Sequence, residues 1–146
     1  MPGYSSKGSQ ASEYLKAGST EANYATPHRL VQMLMEGALD KIATAKGALE
    51  RGDVQERHNN VTWATSIIDA LRSSLDFSKG GEIATNLDAL YTYMNRQLLV
   101  ADVENDVCAL DEVASLLKEI KQAWDAMPEA IRNASNIEEA VSSSQS

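Results

Sequence analysis

The chain has a single cysteine, Cys108, so it cannot form an intramolecular disulfide. Its neighbours, VCALDEV at 107–113, favour a buried structural thiol over a nucleophile, since a reactive thiol needs a nearby base and a cationic setting. No apolar run approaches the roughly 18 residues of a membrane span, and the opening MPGYSSKGSQ lacks the apolar core of a signal peptide. We therefore expect a cytoplasmic protein without membrane insertion.

Basic residues and aromatic residues are also scarce. Thirteen Lys and Arg against twenty-one Asp and Glu give a net charge of −8, which argues against binding to nucleic acid. Two Trp, five Tyr and one Phe are the only aromatic residues, and strand-type alternation is nearly absent, which favours an all-α fold. A length of 146 residues suits one domain with its own hydrophobic core.

Capping residues and apolar spacing predict two helices after residue 25. Thr26 and Pro27 are suited to starting the first helix and Gly52 to ending it. Asp53 with Glu56 resembles a capping box that opens the second helix. Helical spacing is shown in the first by Leu30, Met33, Leu34, Ala38, Ile42, Ala45 and Leu49, and in the second by Val61, Ala64, Ile67, Ile68, Leu71 and Leu75.

The glycine pair in KGGEIATNLDALYTYM, residues 79–94, suggests either a phosphate loop or a joint between helices. A Walker-type loop needs lysine and a hydroxyl residue after the second glycine, whereas Lys79 precedes this pair and Glu82 follows it. We therefore predict that helix two ends near Lys79 and that Gly80 takes a left-handed conformation. Helix three then runs from about Glu82 to Ala101.

A fourth helix has the most regular pattern, and Pro128 prevents its continuation. Short connections require antiparallel neighbours, so we expect an up-down-up-down four-helix bundle over residues 26–127. Residues 1–25 are predicted to be a flexible arm, and residues 128–146 a flexible acidic tail. The apolar residues of the fourth helix are Leu110, Val113, Leu117, Ile120 and Trp124.

Two forms of chemistry recur in helix bundles, and the sequence matches neither. A di-iron centre needs glutamate three residues before histidine, which neither His28 nor His58 has. A phosphotransfer histidine has lysine and glycine shortly after it, and these are also missing. We expect both histidines to be solvated or capping, and no catalytic residue, metal or cofactor. Histidine phosphotransfer or a regulatory helical adaptor stands as the alternative function.

Methionines point instead to protein binding, because their flexible side chains suit grooves that accept helices. Met33, Leu34 and Met35 are consecutive, and three successive residues of a helix are not expected to face one core. Met35 is therefore predicted to lie outside the core.

Several stretches together match a known family. They are Tyr14 upstream of the bundle, ATPHRLVQMLMEGAL at 25–39, IIDALRSSLD at 67–76, the segment 79–94 quoted above, and LLVADVENDVCALDEVASLLKEIKQAW at 98–124. On these residues the chain resembles the flagellar export chaperones of the FliS type.

The resemblance implies a cytoplasmic, non-enzymatic chaperone that binds the disordered C-terminal segment of flagellin and delivers it to the type III export gate. Other flagellar regulators are implied as further partners, and the free protein is expected to be a monomer or a weak homodimer. In related chaperones the N-terminal arm lies over part of the guest site. Here Tyr14 and Leu15 are the residues of the arm that suit this role.

We expect a groove that supplies apolar area and an amide, Asn86, that binds the guest backbone. The sequence departs from the family at Met35 and Glu36, where Tyr-Asp or Phe-Asp is common, and at Thr92, where aspartate is usual. Trp63 is predicted either to mark a contact surface or to pack beside helix three. The predicted flagellin-binding residues are Tyr14, Leu30, Met33, Met35, Asn86, Leu87, Leu90, Tyr91 and Met94.

Overall fold

A computed structural model describes residues 25–127, which form four α-helices. α1 is Pro27–Arg51, α2 is Val54–Ser73, α3 is Phe77–Glu104 and α4 is Val107–Asp125. α1 packs against α2 and α4, and α3 packs against the same two helices. Because the connections are two or three residues long, chain neighbours run antiparallel, and the predicted four-helix bundle is confirmed for this part of the chain.

Apolar side chains from all four helices form one continuous core. This burial is the main favourable contribution to the stability of the bundle. Trp63 packs against the edge of the core, with the Lys41 ammonium of α1 4.2 Å from its ring centroid. The core includes Met35, Ala38 and Ile42 of α1, Ile67, Ile68 and Leu71 of α2, Tyr91, Met94 and Leu98 of α3, and Leu110, Val113 and Leu117 of α4.

The predicted caps at both ends of α1 and at the start of α2 are confirmed, but the reciprocal half of the capping box is not formed, because the Glu56 carboxylate accepts from Arg51 and the Asp53 amide donates to the Ala48 carbonyl. The Thr26 hydroxyl accepts a hydrogen bond from the Arg29 amide at 3.1 Å. Gly52 ends α1 with φ 75° and ψ 19°, a left-handed conformation that glycine adopts at little cost. Asp53 then accepts from the Glu56 amide at 3.1 Å and starts α2.

The joint between α2 and α3 differs from its prediction. α2 ends at Ser73, six residues before Lys79, because Asp76 caps a new helical turn by accepting from the amides of Ser78 and Lys79. Gly81, not Gly80, has the positive φ, at 52° with ψ −129°. The segment of α3 before Gly81 is thus a short turn, and the continuous helix follows it up to Glu104.

Cys108 is exposed, so its predicted burial is wrong. It lies in the first turn of α4, where Asp106 caps the helix by accepting from the Cys108 and Ala109 amides. The buried side of α4 begins with Ala109 and Leu110, which leaves the thiol on the solvent side.

Polar contacts hold α4 beside α1 from end to end. Lys46 pairs with Asp111 near one end, and Glu36 pairs with Lys121 nearer the other. His28 stacks on Trp124 with ring centroids 5.1 Å apart, and the Trp124 indole nitrogen donates to the His28 carbonyl at 3.0 Å. His28 is only 5% exposed, so its prediction as a solvated or capping residue is wrong.

A nearly buried carboxylate, Asp102, joins α3 to α2. One oxygen accepts from Arg57 at 3.0 Å, and the other lies 2.7 Å from Nδ1 of His58. Arg57 also donates to Asn105, the residue that caps α3 in a left-handed conformation. Burial raises the pKa of Asp102, but the hydrogen bonds from His58 and Arg57 outweigh it and leave that pKa below its ordinary value.

No helix formed by residues 25–127 combines the length and the apolar character that crossing a membrane requires.

We expect Asp102→Asn to lower the unfolding free energy at neutral pH by roughly 1.5–3 kcal/mol, since hydrogen bonds to charged groups are worth about that much. The folded-state pKa is depressed, so this contribution is complete above the unfolded carboxyl pKa of about 4 and is lost as pH falls through the folded value. Urea unfolding from pH 7 to pH 3 measures both effects.

Asp111→Asn is the control, because the Lys46–Asp111 pair is solvent-exposed and should contribute little. An equal loss of unfolding free energy in Asp102→Asn and Asp111→Asn would contradict the expectation that the hydrogen bonds of Asp102 contribute more than an exposed ion pair.

We expect Gly81→Ala to destabilise the bundle by about 1–3 kcal/mol, because only glycine adopts its backbone conformation without strain. Gly47→Ala should instead be neutral or stabilising by up to about 1 kcal/mol. Gly47 lies inside α1, and an added Cβ meets only the flexible end of Arg51, at 3.1 Å. Thermal unfolding of the two variants compares these effects. If Gly47→Ala were destabilising and Gly81→Ala were not, both expectations would be wrong.

Candidate protein-binding surface

Part of the apolar side of α3 is exposed in the first half of the helix, although Ala84 and Tyr91 there are buried. Ile83 is 40% exposed and Leu90 is 37% exposed, whereas Met94, one turn further along, is fully buried. Leu98 and Ala101 continue the buried side. An exposed line through Ile83 and Leu90 therefore borders a buried stripe that runs from Ala84 to Ala101.

α4 contributes the opposite wall of this opening. Leu116 and Ile120 follow Glu112 at intervals of four residues, so they lie on the side of α4 from which Glu112 contacts α3. Both side chains are half-buried and pack against the core. We call the surface formed by Ile83, Asn86, Leu87, Leu90, Leu116 and Ile120 the α3–α4 groove.

Hydrogen bonds cross between the two helices beside the groove. The Tyr93 hydroxyl lies 2.8 Å and 3.0 Å from the two Glu112 oxygens, and the Gln97 amide donates to Glu112 at 3.0 Å. The hydrogen bond to Glu112 raises the pKa of Tyr93 above its ordinary value. We call these three residues the Glu112 bridge.

The predicted binding residues on α3 divide into three groups by burial. Asn86 and Leu90 are exposed, and Leu87 is half-buried against the core. Tyr91, 3% exposed, and Met94 belong to the core itself. Burial raises the pKa of Tyr91 to about 12. Because Tyr91 and Met94 are buried, they lie in the core beneath the exposed residues of the groove.

The predicted residues on α1 lie mostly inside the bundle. Met35 is 1% exposed and is part of the core, so its predicted position outside the core is wrong. Met33 and Leu34 are buried as well, because α1 packs against α2 on one side and α4 on the other, which widens its buried arc. Leu30 is half-buried. Tyr14 lies outside the described residues.

Ile83 and the two α4 residues were not among the predicted binding residues. Ile83 and Leu90 are seven residues apart, a spacing that places both on one line of the helix. The seven-residue spacing can be read from the sequence. The exposure of Ile83 and Leu90 cannot, because the core residues of α3 have the same periodicity.

Other exposed apolar side chains lie apart from the groove. Leu99 is 61% exposed and Val103 is 71% exposed, and both project from the side of α3 opposite to Ile83 and Leu90. Phe77, 52% exposed, belongs to the turn that precedes Gly81.

The described residues contain no cluster of three or more His, Cys, Asp or Glu side chains that could hold a metal ion. His28 is buried, whereas the His58 side chain is 57% exposed, as predicted for a solvated residue, and its Nδ1 lies 2.7 Å from an Asp102 oxygen. An uncovered apolar groove between two helices is instead the kind of surface that binds a helical segment of another protein.

Comparison with known proteins shows the family. Residues 10–131 match the family model described as flagellar protein FliS. The chain is 48% identical to flagellar secretion chaperone FliSB of Pseudomonas aeruginosa over 103 residues, which are 70% of this chain and 82% of the relative. It is 40% identical over 114 residues to flagellar secretion chaperone FliS of Vibrio cholerae, covering 78% and 84% of the two chains.

A third relative, flagellar secretion chaperone FliS of Salmonella typhimurium, is 48% identical over 101 residues, covering 68% of this chain and 75% of the relative. The chain belongs to the FliS family.

We expect Met94→Ala to lower the unfolding free energy by about 2–5 kcal/mol, since it removes a fully buried side chain from the core. Leu90→Ala and Asn86→Ala should each change it by less than about 1 kcal/mol, because both side chains are exposed. Urea unfolding of the three variants tests this division between core and surface. A loss at Leu90 as large as at Met94 would mean that the groove is covered in solution.

Proposed function

We propose that this protein is a cytoplasmic export chaperone that binds the disordered C-terminal segment of flagellin, prevents its premature polymerisation and delivers it for secretion. The observation that carries the proposal is the uncovered α3–α4 groove in a member of a family of flagellar secretion chaperones. An apolar groove holds an amphipathic helix by burying its apolar side, and this needs no catalytic group.

The guest helix is proposed to lie along the first half of α3. Ile83, Leu87 and Leu90 would contact its apolar side, and Leu116 and Ile120 would contact it from α4. Asn86 lies among these apolar residues and is exposed, so its amide is available to bind the guest backbone. Tyr91 and Met94 would support the groove from below, and Leu30, Met33 and Met35 would fix α1 against the other side of the core.

The size of the groove bears on how much of the guest must be bound. Full burial of a large apolar side chain is worth about 1.5–3 kcal/mol, so completing the burial of Ile83 and Leu90 adds roughly 1 kcal/mol for each. Micromolar affinity requires about 8 kcal/mol, and ordering a disordered guest costs several more. The guest must therefore form contacts beyond this pair, which is consistent with a long segment rather than a single turn.

Tyr14 and Leu15 are proposed to occupy part of the guest site in the free protein, as the family resemblance implies. Delivery to the export gate and binding to other flagellar regulators are further parts of the proposal. They rest on the family alone.

We expect Leu90→Ala to weaken binding to the C-terminal segment of the organism's own flagellin about fivefold, the equivalent of roughly 1 kcal/mol, with its thermal stability kept. Leu99→Ala is the matched control, because Leu99 is a more exposed leucine on the opposite side of the same helix. Isothermal titration calorimetry with the purified segment measures both affinities.

Weaker binding by Leu99→Ala with no change in Leu90→Ala would move the binding surface to the other side of α3. Absence of binding to any fragment of flagellin by the unsubstituted protein would contradict the proposed function.

A further inference from the structure

The Glu112 bridge crosses the groove where the exposed apolar line of α3 ends. Ile83, Leu90 and Gln97 are separated by seven residues each, so they follow one line along the helix. The first two positions are exposed and apolar, whereas the third is an amide that donates to Glu112 of α4 at 3.0 Å. The line therefore changes from apolar to polar at the bridge.

Two residues of α3, one turn apart, form hydrogen bonds with the same carboxylate. Gln97 donates to one Glu112 oxygen, and the Tyr93 hydroxyl lies within hydrogen-bond distance of both. Glu112 is exposed, so water completes its solvation in the free protein. The hydrogen bonds from α3 therefore restrict the rotation of the Glu112 side chain.

We propose that the Glu112 bridge is the stop that sets the register of the guest segment in the α3–α4 groove. This inference rests on the proposed function. An apolar guest residue that contacts Leu90 in one register would contact Gln97 and Glu112 after a shift of seven residues. The shifted register removes water from a carboxylate without supplying a donor, which is unfavourable, while the first register buries the same side chain on leucine.

The stop also defines the chemistry of the guest. A segment that fits has two apolar residues seven apart for Ile83 and Leu90, followed along the same line by a residue that donates hydrogen bonds. Lysine or arginine suits this third position, because Glu112 carries a negative charge there.

The test compares complexes of three proteins with the C-terminal flagellin segment by residue-resolved hydrogen exchange of the guest. They are the unsubstituted chain, the double variant Gln97→Leu with Glu112→Ala, and Glu119→Ala. The double variant extends the apolar line through position 97, so we expect guest protection to move or spread by about seven residues and the affinity to change at least threefold. Glu119→Ala should protect the same guest residues as the unsubstituted chain, because it leaves the bridge intact.

Unchanged guest protection in the double variant, with binding kept, would overturn the register proposal and leave the proposed function standing. No binding by the unsubstituted chain would overturn the proposed function first. Tyr93→Phe covers the case in which the double variant is unfolded, since it removes one hydroxyl only. We expect it to broaden guest protection in the same direction to a smaller extent, and guest protection identical to that of the unsubstituted chain would count against the stop.

Discussion

The attachment of α4 to α1 limits how much of α3 the same helix can cover. Contacts from Lys46–Asp111 at one end to His28–Trp124 at the other hold α4 beside α1 along its length. α4 has 19 residues, and the continuous part of α3 after Gly81, residues 82–104, has 23, a difference of four residues or about 6 Å of helix. The two helices are joined by a short connection after Glu104, so the additional residues of α3 lie at its beginning, around Ile83. Unequal helix lengths therefore contribute to the exposure of Ile83, whereas Leu90 lies in the part of α3 that runs beside α4.

Much of this fold could be predicted from local chemistry. Thr26, Gly52 and Asp53 act as caps in the structure as their residue types indicate, because capping depends on atoms within three or four residues. The joint after α2 could not be placed as well. Asp76 competes with the glycines for the role of helix boundary, and its hydrogen bonds to Ser78 and Lys79 start a helix earlier than the glycine pair suggests.

The exposure of the candidate surface could be predicted less completely, for a different physical reason. Apolar periodicity shows that Leu90, Tyr91 and Met94 share a helix, but the same pattern is expected whether a neighbouring helix covers them or not. Met35 and His28 are the opposite case, because the sequence predicted that they lie outside the core and both are buried. Their burial depends on α1 lying between α2 and α4, and His28 is covered by Trp124, 96 positions away in sequence. The Glu112 bridge likewise joins residues that no local pattern connects.

Gly81 has a consequence for the cooperativity of α3. Helical hydrogen bonding passes from turn to turn, so fraying at a helix end normally spreads into the following turns until packing stops it. The non-helical backbone of Gly81 interrupts that sequence, which separates the turn containing Phe77 from the helix that carries Ile83 and Leu90. Fraying of the first turn is therefore expected to stop at Gly81 and to leave the helix that carries Ile83 and Leu90 intact.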